Sequence, residues 1–210
     1  MPSKEDVFKG SQRRIKVNPS GGYFHLERAG DISEVNLTDI ASALSRQCRY
    51  TGHLVNGVEH YSVAEHSVLV SYILEKMGAD PVTVFQGLMH DSAEAYLSDI
   101  AAPFKGAIGN YYDVEEKIMA RIRLRYNLPA QQDPTIKKAD WVALFVEARQ
   151  IVNPDEDDLS TWQGYETYGE LSHEFAFPLR CWGPAQARNE FLIRFAQCID
   201  AVYGVAGEGA

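Results

Sequence analysis

Apolar residues recur at helical spacing along most of the chain. Leu37, Ile40, Ala41 and Leu44 make one such set, with Asn36 placed to cap it. Val63, His66, Val70 and Ile73/Leu74 make the next; Ser62 opens it, and Glu65 three residues on completes the pattern of a capping box. Gly78 stops that helix. Asp80-Pro81 starts another, with the proline at its first position. It carries Val84, Phe85, Leu88 and Met89 and runs to Tyr96 or Leu97. Pro103, Gly106 and Gly109 mark a loop. Residues 110 to 127 follow as a helix in which Tyr112, Ile118, Ile122 and Leu124 alternate with charges. Asp133-Pro134 opens a helix with Ile136, Ala139, Val142/Ala143 and Val146, and Gly183-Pro184 opens the last, through Phe191, Leu192, Phe195 and Ile199.

The segments between these helices are irregular. Residues 1–30 form an N-terminal arm with a turn cluster at 18–22; Tyr23-Phe24-His25-Leu26 is either a short strand or an arm lying on the core. Residues 49–61 are a loop or a short hairpin. Residues 151–183 hold Pro154, the acidic run Asp155 to Asp158, and then Trp162, Tyr165 and Tyr168. They predict a long surface excursion, partly folded onto the core. Residues 204–210 predict a frayed tail. With no run of alternating strands and no internal repeat, the predicted fold class is all-α, a single domain over 1–210 built as a bundle of about six or more helices.

Composition narrows the function. With 45% hydrophobic and 23% charged residues, the chain is neither disordered nor collagen-like. Acidic residues outnumber basic ones 29 to 20, a net charge of -9, which argues against a large nucleic-acid interface. A few local arginines and lysines can still grip an anionic small molecule. Cys48, Cys181 and Cys198 are far apart with no C-x-x-C, so reduced thiols in a cytoplasmic protein are expected. No run approaches the roughly 18 apolar residues of a membrane span, and Met1 to Gly10 lacks a signal-peptide core; no membrane partner is expected.

One constellation carries chemistry. His66 sits early in a helix, His90 and Asp91 are adjacent late in the next, and Asp140 interrupts the apolar face of a third. Imidazole and carboxylate suit a divalent transition metal, and separate packed helices can bring such ligands together. A histidine after an apolar run is more often a satisfied core residue, so spacing alone leaves both readings open. Met89-His90-Asp91-Ser92-Ala93-Glu94 tips the balance, because three ionisable groups in an apolar helix are costly to bury unless paired or metal-bound.

The segments Tyr61-Ser62-Val63-Ala64-Glu65-His66-Ser67, Leu88-Met89-His90-Asp91-Ser92-Ala93-Glu94-Ala95-Tyr96 and Lys138-Ala139-Asp140 resemble, in order, the H…HD…D signature of the HD-domain metal phosphohydrolases. Upstream, Ala43 to Tyr50 is similar to the branch containing bacterial 5'-deoxynucleotidases and phage dATP triphosphohydrolases. The resemblance runs from about Asn36 to Arg149 and more weakly into the last helix.

It implies a set of roles. His66, His90, Asp91 and Asp140 match the ligands of one divalent ion, with manganese, cobalt, iron, nickel and zinc all compatible; a second ion, magnesium, can accompany the substrate phosphates. Glu94 matches the acid that positions or activates the attacking water, and its i, i+3 spacing from Asp91 puts both on one helix face. Arg49 matches an arginine on the substrate phosphate, with Arg46 as the neighbouring candidate. Lys105 matches a phosphate-contacting lysine, and Asp99 an acid that protonates the leaving oxygen. Tyr50 stands where the deoxynucleotidases carry a sugar-shaping tryptophan, and the loop after Arg49 is longer here; His53 and His60 are additions that either contact substrate or lie exposed.

The expected activity is therefore metal-dependent hydrolysis of a deoxynucleotide: dATP or another dNTP, giving deoxynucleoside and triphosphate. The alternatives are a 5'-deoxynucleotidase acting on dNMPs and a non-catalytic nucleotide sensor. Relatives of this kind form oligomers, so a homo-oligomer is expected. Trp162 to Tyr168 either cover the pocket or form a subunit contact.

Overall fold

Short polar side chains start the helices where their chemistry allows. In the computed structural model, which describes residues 13–28, 30–153 and 155–204, Asn36 accepts the Thr38 amide at 2.8 Å, Asp80 the amides of Val82 and Thr83 at 2.9 and 3.2 Å, and Asp133 that of Thr135 at 2.8 Å. Each satisfies a donor that the first helical turn leaves without an intrahelical partner. Pro81, Pro134 and Pro184 occupy first-turn positions where no amide hydrogen is needed.

Two three-residue strands, β1 (Arg14–Lys16) and β2 (Tyr23–His25), pair antiparallel with Ile15 opposite Phe24. The remaining elements are helical: α1 (Leu37–Leu44), α2 (Val63–Lys76), α3 (Pro81–Met89), α4 (Glu94–Leu97), α5 (Ala102–Lys105), α6 (Tyr111–Arg125), α7 (Pro134–Glu147), α8 (Glu156–Leu159), α9 (Glu170–Ser172) and α10 (Pro184–Tyr203). A π-helical turn, Ala148–Val152, extends α7, and a second spans Tyr165–Gly169. The fold is all-α.

Helix α2 is the central element. It packs against α3, α7 and α10, and 11 of its 14 residues are buried, as expected for a helix surrounded on all sides. Val63, Val70, Ile73 and Leu74 meet Val84, Phe85 and Leu88 of α3 and Ile136, Ala139, Val142 and Ala143 of α7 in one apolar cluster. Gly87 permits the close approach of α3: a Cβ there would lie 2.1 Å from Leu74 Cδ1.

Four expectations change. The helix predicted from Asp80 to Tyr96 is two helices, because the chain leaves α-helical pairing at His90–Ala93 and bonds i→i−3 from Ser92 to Met89, Glu94 to Asp91 and Ala95 to Ser92. Tertiary placement of His90 and Asp91 overrides local propensity there. In α6 the buried face is Tyr111, Ile118, Met119 and Ile122, while Tyr112 and Leu124 are exposed. The Ser62–Glu65 box is half made: Ser62 accepts the Glu65 amide, but the Glu65 carboxylate turns away and accepts the amides of Arg180, Cys181 and Trp182 at 2.8–2.9 Å. Lys105 sits on a short helix rather than an open loop.

The arm's described part is a hairpin stitched to α6, where Arg121 donates to the carbonyls of His25 and Asp31 and pairs with Glu34. The excursion folds onto the core through buried Leu159, Ser172 and Phe175 and through Arg149, which binds Glu156, Ser172 and the Gly169 carbonyl. Pro154 and the tail residues after Gly204 lie outside the described residues, as do residues 1–12 of the arm. All three cysteines are unpaired among the described residues, and no helix there is long and apolar enough to cross a membrane.

Candidate metal centre

The second turn of α2, the C-terminal end of α3 and the middle of α7 converge on one point. His66 is completely buried. Its Nδ1 lies 2.6 Å from Glu147 Oε1. His90 Nδ1 lies 2.7 Å from the Gly87 carbonyl, an acceptor only, so Nδ1 carries a hydrogen and Nε2 is the ring nitrogen turned to the site. Both Nε2 atoms are buried without a hydrogen-bond partner among the described residues. They face the same two carboxylates. Asp91 Oδ2 is 3.5 Å from His66 Nε2 and 3.1 Å from His90 Nε2; Asp140 Oδ1 is 3.3 and 3.9 Å from them. One ligand atom each from His66, His90 and Asp140 lie within 4.8 Å of one another.

Electrostatics agree with this geometry. Burial opposes ionisation of Asp91 and Asp140, but the two histidines outweigh it and hold both carboxyls well below the usual carboxylate range. Burial and Arg49 push the His66 imidazole down, and Glu147 and Asp140 outweigh them, raising it to about 9. The two carboxylates thus demand positive charge where the imidazole nitrogens point. A proton meets that demand in the ion-free protein, and a divalent cation meets it with the same donors. Unpartnered nitrogens opposite paired carboxylates fit a transition-metal ion.

An ion at this site would compete with the proton that Glu147 and Asp140 favour on His66, so Mn(II) affinity is expected to rise with pH through the neutral range. Titration calorimetry in buffers of different ionisation enthalpy should read about one proton released per ion. An affinity independent of pH across the neutral range would remove His66 from the ligand set.

The loop before α2 brings up the first cation. Its base is closed by a bridge between Cys48 and Ser62 and by the Arg49 amide donating to the Tyr61 carbonyl at 2.8 Å. Beyond it Tyr50 and Thr51 both adopt left-handed backbone, at φ 56° and 51°, a strained arrangement that clusters at functional sites. Arg49 lies with Nη1 4.0 Å from Asp91 Oδ2 and Nη2 3.2 Å from Glu147 Oε2. Tyr50 donates to Glu147 Oε2 at 2.5 Å and Tyr61 to Oε1 at 2.9 Å. Burial opposes ionisation of Glu147, but Arg49 and His66 hold its carboxyl down at about 2. Arg46 instead bonds back to Ser42 within its own helix end, so Arg49 is the arginine of the site. His53 is exposed, and His60 bonds the Ser45 carbonyl; neither joins the cluster.

Helix α4 supplies the opposite wall. Glu94 is 2% exposed, with Oε1 accepting from Lys105 Nζ at 3.0 Å and Oε2 without a partner among the described residues. Burial, then Asp91 and Asp99, raise its carboxyl to about 9 against the pull of Lys105. Lys105 also donates to Glu115 at 3.1 Å, and these carboxylates hold its ammonium well above the ordinary lysine value despite burial. Gln47 clamps the segment, donating to the Glu94 carbonyl and accepting the Asp99 amide, both at 2.9 Å.

Eight of the nine sequence-predicted site residues border one region: His66, His90, Asp91, Asp140, Arg49, Tyr50, Glu94 and Lys105; Asp99 follows on the same segment, with its amide on Gln47 Oε1. Sequence reasoning missed Glu147, Gln47 and Glu115. Glu147 had a signal: it follows Asp140 by seven residues, two turns along the same face, and ends the apolar run Val142 to Val146. The Trp162–Tyr168 segment packs on α7, with Tyr168 stacked on Trp141 at 5.8 Å and Tyr165 edge-on to Phe145 at 5.6 Å.

No family model matches the chain. It is 35% identical over 130 residues to the uncharacterized protein RCAP_rcc00048 of Rhodobacter capsulatus, covering 59% of this chain and 66% of that one. It is 36% identical over 176 residues to the uncharacterized protein YfdR of Escherichia coli strain K12, covering 84% of this chain and 90% of that one. At that identity and coverage, the chain belongs to the same protein family as YfdR.

Proposed function

We propose that the protein is a divalent-metal-dependent phosphohydrolase acting on deoxynucleotides, with dATP or another dNTP as substrate and deoxynucleoside and inorganic triphosphate as products. The observation that carries the proposal is the pair of buried, unpartnered imidazole nitrogens facing Asp91 and Asp140, with an arginine and a lysine on its flanks. The deoxynucleotide follows from the resemblance of residues 43–50, 61–67 and 88–96 to that branch of the HD-domain enzymes.

His66, His90, Asp91 and Asp140 hold the ion. When bound, it supplies Lewis acidity toward a phosphoryl oxygen and toward water. Arg49 keeps one guanidinium edge on Glu147 and turns Nη1 to the carboxylate cluster, where it meets phosphoryl oxygens in the fork geometry that guanidinium favours. Glu94 handles the proton of the attacking water at Oε2, the oxygen that Lys105 leaves open. Lys105 steadies negative charge on the phosphate chain, and Asp99 protonates the departing 5'-oxygen. Tyr50 has its hydroxyl committed to Glu147 and offers its ring to the sugar.

A second substrate class has a specific observation behind it. Lys105 is pinned by both Glu94 and Glu115, which leaves less cationic charge for a triphosphate and suits a dNMP. A product assay decides. The protein is stripped with chelator, reloaded with manganese, cobalt or zinc, and offered the four dNTPs, the four dNMPs, ATP and AMP. Deoxyadenosine with triphosphate from dATP, and little turnover of ATP, is the expected result. Orthophosphate from dNMPs alone would make it a 5'-deoxynucleotidase. No product with any ion would overturn hydrolysis and leave a nucleotide sensor.

A further inference from the structure

Glu147 has no place in the ligand set or the proton transfers above. It is also completely enclosed: it is 0% exposed, and four side chains from three stretches of chain converge on it. Oε1 receives His66 Nδ1 at 2.6 Å and the Tyr61 hydroxyl at 2.9 Å. Oε2 receives the Tyr50 hydroxyl at 2.5 Å and Arg49 Nε at 3.2 Å. A carboxylate offers about four lone-pair directions, and all four are used.

We infer that Glu147 is a positioning residue that locks the ion-binding face and the phosphate-binding face of the site to each other. Two consequences of its geometry carry this. First, a carboxylate on Nδ1 keeps the hydrogen there and aims the Nε2 lone pair at Asp91 and Asp140, and it makes that nitrogen a stronger donor than a neutral acceptor would. His90 shows the contrast, since its Nδ1 meets only the Gly87 carbonyl. Second, the other oxygen of the same group holds the Nε and Nη2 edge of Arg49, so the guanidinium cannot swing away and Nη1 remains 4.0 Å from Asp91. Because Glu147 is the last residue of α7 and Asp140 is two turns earlier on it, one helix sets the ligand, the partner of the second ligand and the partner of the arginine. The strained Tyr50–Thr51 backbone has its anchor here as well, through the Tyr50 hydroxyl.

The role at the ion stands apart from any substrate; the role at Arg49 rests on the phosphohydrolase proposal. The test reads them separately on the full chain. Glu147→Gln keeps the shape of the side chain and removes its charge. Cobalt(II) or manganese(II) alone, titrated into stripped protein, should bind on the order of 10–100-fold more weakly than to wild type, with an altered cobalt absorption spectrum. At saturating metal the variant should show a raised KM and a lowered kcat, and in an Arg49→Ala background the same change should add little to the KM. Should Glu147→Gln not fold, the pair Tyr50→Phe and Tyr61→Phe leaves the carboxylate in place but loosens it, and should shift metal affinity and KM the same way by a smaller factor. Equal metal affinity and an unchanged cobalt spectrum in the variants, with wild type binding one ion, would overturn the positioning role while leaving the phosphohydrolase proposal intact. No ion bound by wild type would overturn both. Ion binding that depends on Glu147 in a protein that hydrolyses no nucleotide would support the metal half and reject the substrate.

Discussion

Asp91→Ala is expected to weaken ion binding sharply and to abolish turnover, without unfolding the protein. Asp91 is the carboxylate nearest to His90 Nε2, at 3.1 Å, and it also lies 3.5 Å from His66 Nε2 and 4.0 Å from Arg49. Its removal leaves two imidazoles and one carboxylate, a set with less charge to offset the dehydration of a divalent ion. The fold does not depend on it, because Asp91 lies in the turn between α3 and α4 and contributes nothing to the apolar cluster around α2. Thermal unfolding with and without chelator separates the two effects. An ion present at 100 times its dissociation constant stabilises the native state by about 2.7 kcal/mol, which for a chain of this size raises the midpoint by about 5–10 °C. Wild type should lose that increment on chelation. Asp91→Ala should show the lower midpoint already and should not respond to chelator. Full activity with undiminished metal content in the variant would sink the centre as described.

The parts of this architecture that were legible in the sequence are those fixed by neighbours in the chain. Asn36, Asp80 and Asp133 cap helices because a short polar side chain reaches amides two or three residues on, and the apolar faces of α2, α3 and α7 follow from a 3.6-residue period that no tertiary contact disturbs. His66, His90, Asp91 and Asp140 were legible as chemistry because ionisable groups on apolar faces need a reason to be there. The break at His90–Ala93 was not legible, since its cause is where His90 and Asp91 must point and not the propensity of the segment. The Ser62–Glu65 spacing predicts a local cap, whereas the Glu65 carboxylate serves amides at positions 180–182. The face of α6 departs from its pattern for a similar reason: the N-terminal hairpin lies over it, and Arg121, a charged residue by pattern, is buried beneath that hairpin. Glu147 and Gln47 depend on partners 98 and 52 positions away, which no spacing rule reaches.

Glu94→Gln should retain the ion and lose on the order of 10²-fold or more in rate, and Glu94→Ala should be no slower than Glu94→Gln by more than a small factor. The comparison between the two substitutions carries the inference. Glutamine preserves the length of the side chain, an acceptor for Lys105 and a hydrogen bond toward water, but it cannot take or release a proton. If Glu94 served only to place a water molecule, glutamine would keep most of the rate. The structure favours proton handling. Oε1 is committed to Lys105, and Oε2 is buried and unpartnered, while burial together with Asp91 and Asp99 raises the carboxyl to about 9 in the ion-free site. Burial and the neighbouring acids favour the protonated form, Lys105 opposes them, and cationic charge placed beside Asp91 pulls the carboxyl further toward the range where it exchanges protons easily. Gln47 holds α4 from both ends, so neither substitution has reason to move Asp91 or Asp99, and metal content measured in the same preparations should equal that of wild type. A Glu94→Gln rate within about threefold of wild type, well short of a general acid–base contribution, would take Glu94 out of the proton transfer and shift that role to Asp99, the other acid on this wall.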